Sequence, residues 1–409
     1  MALADVHKDV QNLTIDEAAL REHVIRPPHV EGVVSSMGPQ EGTTALREFE
    51  EFEFPQARGI YYLDVDGFGQ ALHAALKDSV VGYVMRLRQD GQTIYTLVWN
   101  WAKTPVDGGQ GWGFNVRMHV ASCSKLITAM AMTKLLNDKN ISYDTPIINY
   151  LPEFWYKGPN VSQITFRNLM THTSGFNYNV SSSASDYAFM KSQVAAGVTN
   201  RGQYWYQNMN FGLCRILITT LNGNVSPDTN FNVPSITNAN NVIWDYVTIQ
   251  SYVQYVQDHI FQPAGVSGPS LDHPTVDALA YTFPLSGNGW NSGDLSSVSG
   301  GAGWHISVDE LLNIMGTFRR KGTIMSTTQA QTMLDNKFGI DVKMSTPLGT
   351  LYNKNGLWGD GGGRVEQSLT YFLPQNMELV VLTNSPVGSP GQFFRDLVTN
   401  RYVANIKAT

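Results

Sequence analysis

At 409 residues the chain is long enough for a large core and for two lobes that share one site. Hydrophobic residues at 42% and charged residues at 15% describe a globular protein, which excludes a disordered chain. A net charge of −6 without any basic run argues against nucleic acid and anionic membrane surfaces as partners. No stretch approaches the roughly 18 uninterrupted apolar residues of a membrane span, and the first residues lack the apolar core of a secretion signal. A cytoplasmic protein is therefore expected. The two cysteines, Cys123 and Cys214, make neither a disulfide framework nor a metal-ligand spacing.

In chain order, Thr14 to Glu17 has capping-box form and predicts a short helix that Pro27 and Pro28 stop. Residues 30–58 are mixed and acidic and read as an irregular extension. A helix follows over 67–78, with Phe68, Leu72, Ala75 and Leu76 on one face. Residues 80–87 and 93–101 form a hairpin about the Asp90-Gly91 turn signal.

Next comes Met118-His119-Val120-Ala121-Ser122-Cys123-Ser124-Lys125, running into a helix with Leu126, Ala129, Met130, Thr133 and Leu136 at helical spacing. Ser122 falls at the helix start and Lys125 one turn later on the same face. First-turn N–H groups lack partners within a helix and suit a developing oxyanion. A buried amine within reach of a hydroxyl can take its proton. The plainer alternative makes Ser122 a helix N-cap.

Pro146 opens a short helix to Tyr150. Thr165 caps another that Gly175 can end. Residues 177–203 read as loops rimming a cleft, and Tyr204 to Gly212 leads into an apolar helix. An Asn-rich surface insertion spans 222–242, a helix 246–261, and a Gly/Ser-rich loop 284–303. Ser307 to Glu310 is a second capping box. Strands follow over 352–358, 364–373 and 377–384, with a turn at 359–363, and a helix closes the chain. The fold class is α/β of the α+β type: an antiparallel sheet built from N- and C-terminal strands and flanked by helices, with an inserted helical lobe. The expected units are an N-terminal extension over 1–65, a sheet domain over 66–139 and 311–409, and a helical domain with loop insertions over 140–310.

Taken in order, these pieces resemble the serine β-lactamase and penicillin-binding-protein superfamily, and within it the class C β-lactamase and esterase branch. Ser122 to Lys125 looks like the S-x-x-K nucleophile motif. Leu169-Met170-Thr171-His172-Thr173-Ser174-Gly175 resembles that branch's L-L-T-H-T-S-G segment. Tyr206-Gln207-Asn208 resembles its Y-x-N motif. The third motif, Lys-Thr-Gly or His-x-Gly on a strand, has two candidates. Lys354-Asn355-Gly356 has the chemistry, whereas an ungapped count back from Pro374 points to Gly359-Asp360-Gly361. The lysine is preferred because Gly359 to Gly363 looks like a turn.

The resemblance implies that Ser122 carries an acyl group, that Lys125 or Tyr206 acts as the base, and that Tyr206 passes the proton to the leaving group. It also implies that Asn208 holds Lys125 and substrate, and that Lys354 sets positive charge opposite the substrate. The oxyanion would lie between the N–H groups of Ser122 and Leu357, after Gly356, with Trp358 beside the acyl pocket. His172 is read as structural and not as a triad base, and His119 and His305 as local packing residues. Cys123 is read as a small core residue, with thiol sensitivity a weaker alternative. The expectation is a serine hydrolase of small-molecule esters or amides that needs no metal or cofactor. An acyltransferase passing the acyl group to an amine or alcohol is the first alternative, and a non-catalytic binding protein that keeps the fold is the second.

Overall fold

The computed structural model describes residues 4–25, 60–180, 183–233, 236–272, 277–387 and 393–409. The extension expected over 30–58 lies outside these residues. Two short helices, α1 (Ala4–Asp9) and α2 (Glu17–Ile25), come first. After β1 (Tyr61–Leu63), Asp64 caps α3 (Val65–Leu76) by accepting from the Gly67 N–H at 2.9 Å.

Asp90 and Gly91 take φ of 49° and 84°, the pair of positive values that a two-residue hairpin needs to match strand twist. They join β2 (Gly82–Gln89) to β3 (Gln92–Lys103), and β4 (Gln110–Gly111) pairs with the end of β3. The other half of the sheet comes from the far end of the chain. It consists of β7 (Val342–Thr346), β8 (Gly349–Gly359), β9 (Val365–Leu373) and β10 (Met377–Thr383), which follow the short β5 (Met118–His119) and β6 (His305–Ile306). The order is β4-β3-β2-β10-β9-β8-β7, antiparallel throughout. Continuous apolarity in β10 suits its place between β2 and β9, where every residue from Met377 to Thr383 is buried. A last strand, β11 (Ile406–Ala408), returns to pair with β1.

Between the halves lie α4 (Ser124–Asp138), α5 (Phe166–Met170), α6 (Tyr187–Ala196), α7 (Met209–Leu221), α8 (Ala239–Val256), α9 (Val308–Gly316) and α10 (Thr327–Asp335). α11 (Phe394–Ala404) closes the opposite sheet face together with α3. One core, including Met130, Leu213 and Trp304, fills the space between sheet and inserted helices. A second, with Phe68, Leu379 and Tyr402, lies under α3 and α11. α4 runs through the middle: every residue from Ser124 to Thr133 is buried, and only its last turn reaches the surface, through Lys134 and Asp138.

Several expectations are corrected. Residues 177–203 are not only loop, because Asp186 caps α6 through the Phe189 N–H at 2.9 Å. The 222–242 stretch is not a surface insertion: Val225, Phe231, Val233 and Ile236 are buried, and α8 already begins at Ala239. α5 stops at Met170 and not at Gly175, since Thr171 bonds back to the Arg167 carbonyl and His172 turns left-handed at φ 54°. Among the described residues no helix is long and apolar enough to cross a membrane.

Candidate active site

The turn that carries Ser122 is set by the residue before it. Ala121 has φ of 45°, a left-handed conformation that costs a residue with a Cβ. It is wholly buried and packs with Leu295, Val298, Ala302 and Trp358, which hold the turn in place. A single 3-10 turn over Ala121–Cys123 then leads into α4, and no side chain caps that start. Ser122 is therefore not an N-cap. It is 8% exposed.

Lys125 is fully buried, yet its Nζ lies 2.9 Å from Ser122 Oγ. The same nitrogen donates to Asn208 Oδ1 at 2.7 Å and to the Gly301 carbonyl at 2.6 Å. Those two oxygens only accept, so they take two N–H bonds and direct the remaining position of the amine at the serine. In the neutral amine that position is a lone pair.

Tyr206 approaches from the segment before α7, with its hydroxyl 2.6 Å from Ser122 Oγ. Its ring is backed by His172, 4.3 Å between centroids, and faces two lysine nitrogens, Lys125 Nζ at 5.0 Å and Lys354 Nζ at 5.2 Å. Asn208 stands at the start of α7 without capping it. Its amide instead donates to the Ser183 carbonyl at 2.8 Å, while its own N–H donates to Ser183 Oγ at 2.7 Å. Both bonds turn Oδ1 toward Lys125.

β8 brings the next group. Lys354, Gly356 and Trp358 alternate onto the face turned to the nucleophile turn. At Gly356 a Cβ would lie 2.5 Å from the Val120 carbonyl and 2.9 Å from Ser122 N, so the strand passes directly against that backbone. Only glycine fits there. Trp358 packs edge-on against His119 at 5.1 Å. Leu357 points its N–H to the edge that β7 leaves, the edge shared by Asn355, whose N–H donates to Asp341 Oδ2 at 3.1 Å. Lys354 is not an exposed strand lysine: it is 1% exposed and pairs with Asp341 at 2.6 Å. The other third-motif candidate, Gly359-Asp360-Gly361, lies where β8 ends and turns, and there Asp360 accepts from the Gly362 N–H at 2.7 Å.

The histidines are accounted for by packing. His172 Nδ1 accepts from the Gln207 N–H at 3.3 Å and from Asn210 Nδ2 at 3.2 Å. Burial, then the charges of Lys354 and Lys125, hold its pKa well below the usual value, so it is neutral. His119 accepts the Gly303 N–H on Nε2 at 3.0 Å, which leaves Nδ1 to donate to Glu366 at 3.1 Å. Burial and Lys125 push His119 down to about 3, and burial raises Glu366 well above the carboxylate range. His305 Nε2 lies 3.5 Å from Asp277. Cys123 faces the core, donates to the Lys354 carbonyl at 3.3 Å, and is pushed up to about 12 by burial, which removes the basis for thiol sensitivity. Among the described residues no group of three or more His, Cys, Asp or Glu could hold a metal ion.

Three contributors escape sequence reasoning. Gly301 acts through a backbone carbonyl, and only the glycine-rich run 299–303 hints at it. Ser183 and Asp341 carry no local signal at all.

The Beta-lactamase family model matches residues 68–229, a stretch that contains Ser122, Lys125, Tyr206 and Asn208. The chain is 30% identical over 148 residues to an acyltransferase, calJ, of Penicillium decumbens, covering 32% of this chain and 34% of that protein. It is 29% identical over 113 residues to the esterase EstB of Burkholderia gladioli, covering 27% and 28%. The match thus spans about a third of each relative's own length. In solved structures the fold is similar to that of an octameric penicillin-binding protein homologue from Pyrococcus abyssi, with a TM-score of 0.60 at 16% identity over 80% of this chain and 75% of that one.

Proposed function

We propose that this chain, whose residues 68–229 match the Beta-lactamase family model, is a serine hydrolase of the serine β-lactamase and penicillin-binding-protein superfamily that forms an acyl-serine intermediate from a small-molecule ester or amide. The single observation that carries this reading is the three-way contact at Ser122 Oγ, with Lys125 Nζ at 2.9 Å and the Tyr206 hydroxyl at 2.6 Å. The class C and esterase-like branch is favoured by the order of the Thr171-His172-Thr173-Ser174-Gly175 and Tyr206-Gln207-Asn208 segments after the nucleophile.

In this reading Ser122 Oγ attacks the carbonyl carbon while its proton passes to Lys125 or to the Tyr206 oxygen. The carbonyl electrons move onto oxygen, which the N–H groups of Ser122 and Leu357 stabilise. Collapse breaks the bond to the leaving group, which takes a proton from Tyr206; where Lys125 took the serine proton, it passes that proton on to the Tyr206 oxygen and both groups return to their starting state. Deacylation runs the same path with water in place of the leaving group. Asn208 holds Lys125 and faces the substrate, and Gly356 lets β8 approach.

A second reading, transfer to an amine or alcohol, is favoured by the relative named as an acyltransferase. A panel of aryl esters and amides, run with and without added amines and alcohols and followed by mass spectrometry, tests both. Free acid as the product supports hydrolysis. New esters or amides formed in proportion to acceptor support transfer. Absence of any Ser122-dependent turnover overturns both and leaves a binding protein that retains the fold.

A further inference from the structure

We propose that Asp341 makes the site select acyl donors without a carboxylate beside β8, an inference that rests on the acyl-serine reading above. The strand's own cation cannot serve as a counter-ion for an anionic donor. Lys354 is 1% exposed, and its Nζ donates to Asp341 Oδ1 at 2.6 Å. A buried ammonium already matched to a carboxylate gains little by meeting a second one.

Asp341 also changes the edge on which a donor would lie. Its N–H donates to the Asn353 carbonyl at 2.9 Å, and its Oδ2 takes the Asn355 N–H. Asn355 and Leu357 face the same edge, about 7 Å apart at strand spacing. The donor next to the Leu357 N–H along this edge of β8 is therefore occupied by Asp341 Oδ2 and is not open to an anionic substrate group.

The carboxylate is held there firmly. Gly339, two residues earlier, donates its N–H to the Met170 carbonyl at 3.0 Å. A Cβ on Gly339 would meet the Lys125 carbonyl at 2.9 Å. The segment leading to Asp341 is thus wedged between the first turn of α4 and the end of α5. A substrate carboxylate beside β8 thus meets an ion pair with no net positive charge, and gives up hydration there without a counter-ion in return.

The test uses matched esters on the full chain: phenyl hydrogen glutarate against its methyl ester, and 3-carboxyphenyl acetate against its methyl ester. These place the charge on the acyl arm and on the leaving group in turn. We expect kcat/KM to favour the uncharged partner by at least about tenfold in one pair, and Asp341→Asn to reduce that ratio about tenfold. Should that variant not fold, Lys354→Met, which leaves Asp341 unmatched, is expected to widen the ratio. Equal rates for both partners in both pairs, or a ratio that neither variant moves, overturns the proposal while leaving the acyl-serine reading intact. If none of the four esters acylates Ser122, the reading beneath it falls and this inference with it.

Discussion

Ser122, Lys125 and Tyr206 meet because the left-handed turn at Ala121, the first turn of α4 and the segment before α7 bring them together. Removing the phenol oxygen by Tyr206→Phe keeps the ring against His172 but deletes the 2.6 Å contact with Ser122. The expected result is a fall in kcat of about 10²–10⁴ with folding unchanged by circular dichroism; near-wild-type turnover would contradict the role assigned to the tyrosine. A second prediction concerns pH. Asp277 is buried, and burial, then the neighbouring Glu366, raises its pKa from 3.8 to about 9. Between those two values the unfolded chain releases this proton while the folded chain keeps it, so the contribution of Asp277 to stability falls as pH rises. Asp277→Asn should flatten the loss of Tm between about pH 5 and 9; a slope equal to that of wild type would contradict it. At this scale the sequence exposes the motif side chains readily, since S-x-x-K and Y-x-N are written in residue types. It hides Gly301, whose contribution is a carbonyl, and Asp341, whose meaning depends on a strand that arrives from elsewhere.

Elements reach the site through close backbone approach. β8 lies against the nucleophile turn only because Gly356 has no side chain, so Gly356→Ala must push the strand away from Val120 and Ser122. A stability loss of about 1–3 kcal/mol is expected together with a drop in acylation rate; a variant as stable and as active as wild type would show that the approach is not tight. α9 depends on its capping box, in which Ser307 accepts the Glu310 N–H and Glu310 returns a bond to the Ser307 N–H at 2.9 Å. Ser307→Ala should cost about 1 kcal/mol in urea unfolding, and no measurable loss would contradict the cap. The Thr165 and Ser307 caps and the Asp-Gly turn are legible because each is local chemistry, whereas the box expected at Thr14 is replaced by Asp16, which accepts the Ala18 and Ala19 N–H groups. α6 lacks strong apolar periodicity, α10 carries a signal left unread in its Ser326-to-Gln329 capping box and its Ala330, Met333 and Leu334 face, and β7 is a five-residue strand with Lys343 and Ser345 exposed.

At the scale of the whole molecule, a sheet closed by strands from both ends of the chain brackets the inserted helices and brings β8 to face α4. That arrangement was readable from the placement of strand patterns at the two ends. The return of β11 to β1 was not, because three-residue strands leave no periodicity to detect. The fold thereby joins a hydroxyl, an amine and a phenol that lie as far as 84 residues apart. The most direct test of that union is peptide-level mass spectrometry after brief exposure to an aryl ester and an acid quench. The account predicts one acyl group on the peptide that contains Ser122, lost in Ser122→Ala and strongly slowed in Lys125→Met. An acyl group on any other residue, or an adduct that survives Ser122→Ala, would contradict it.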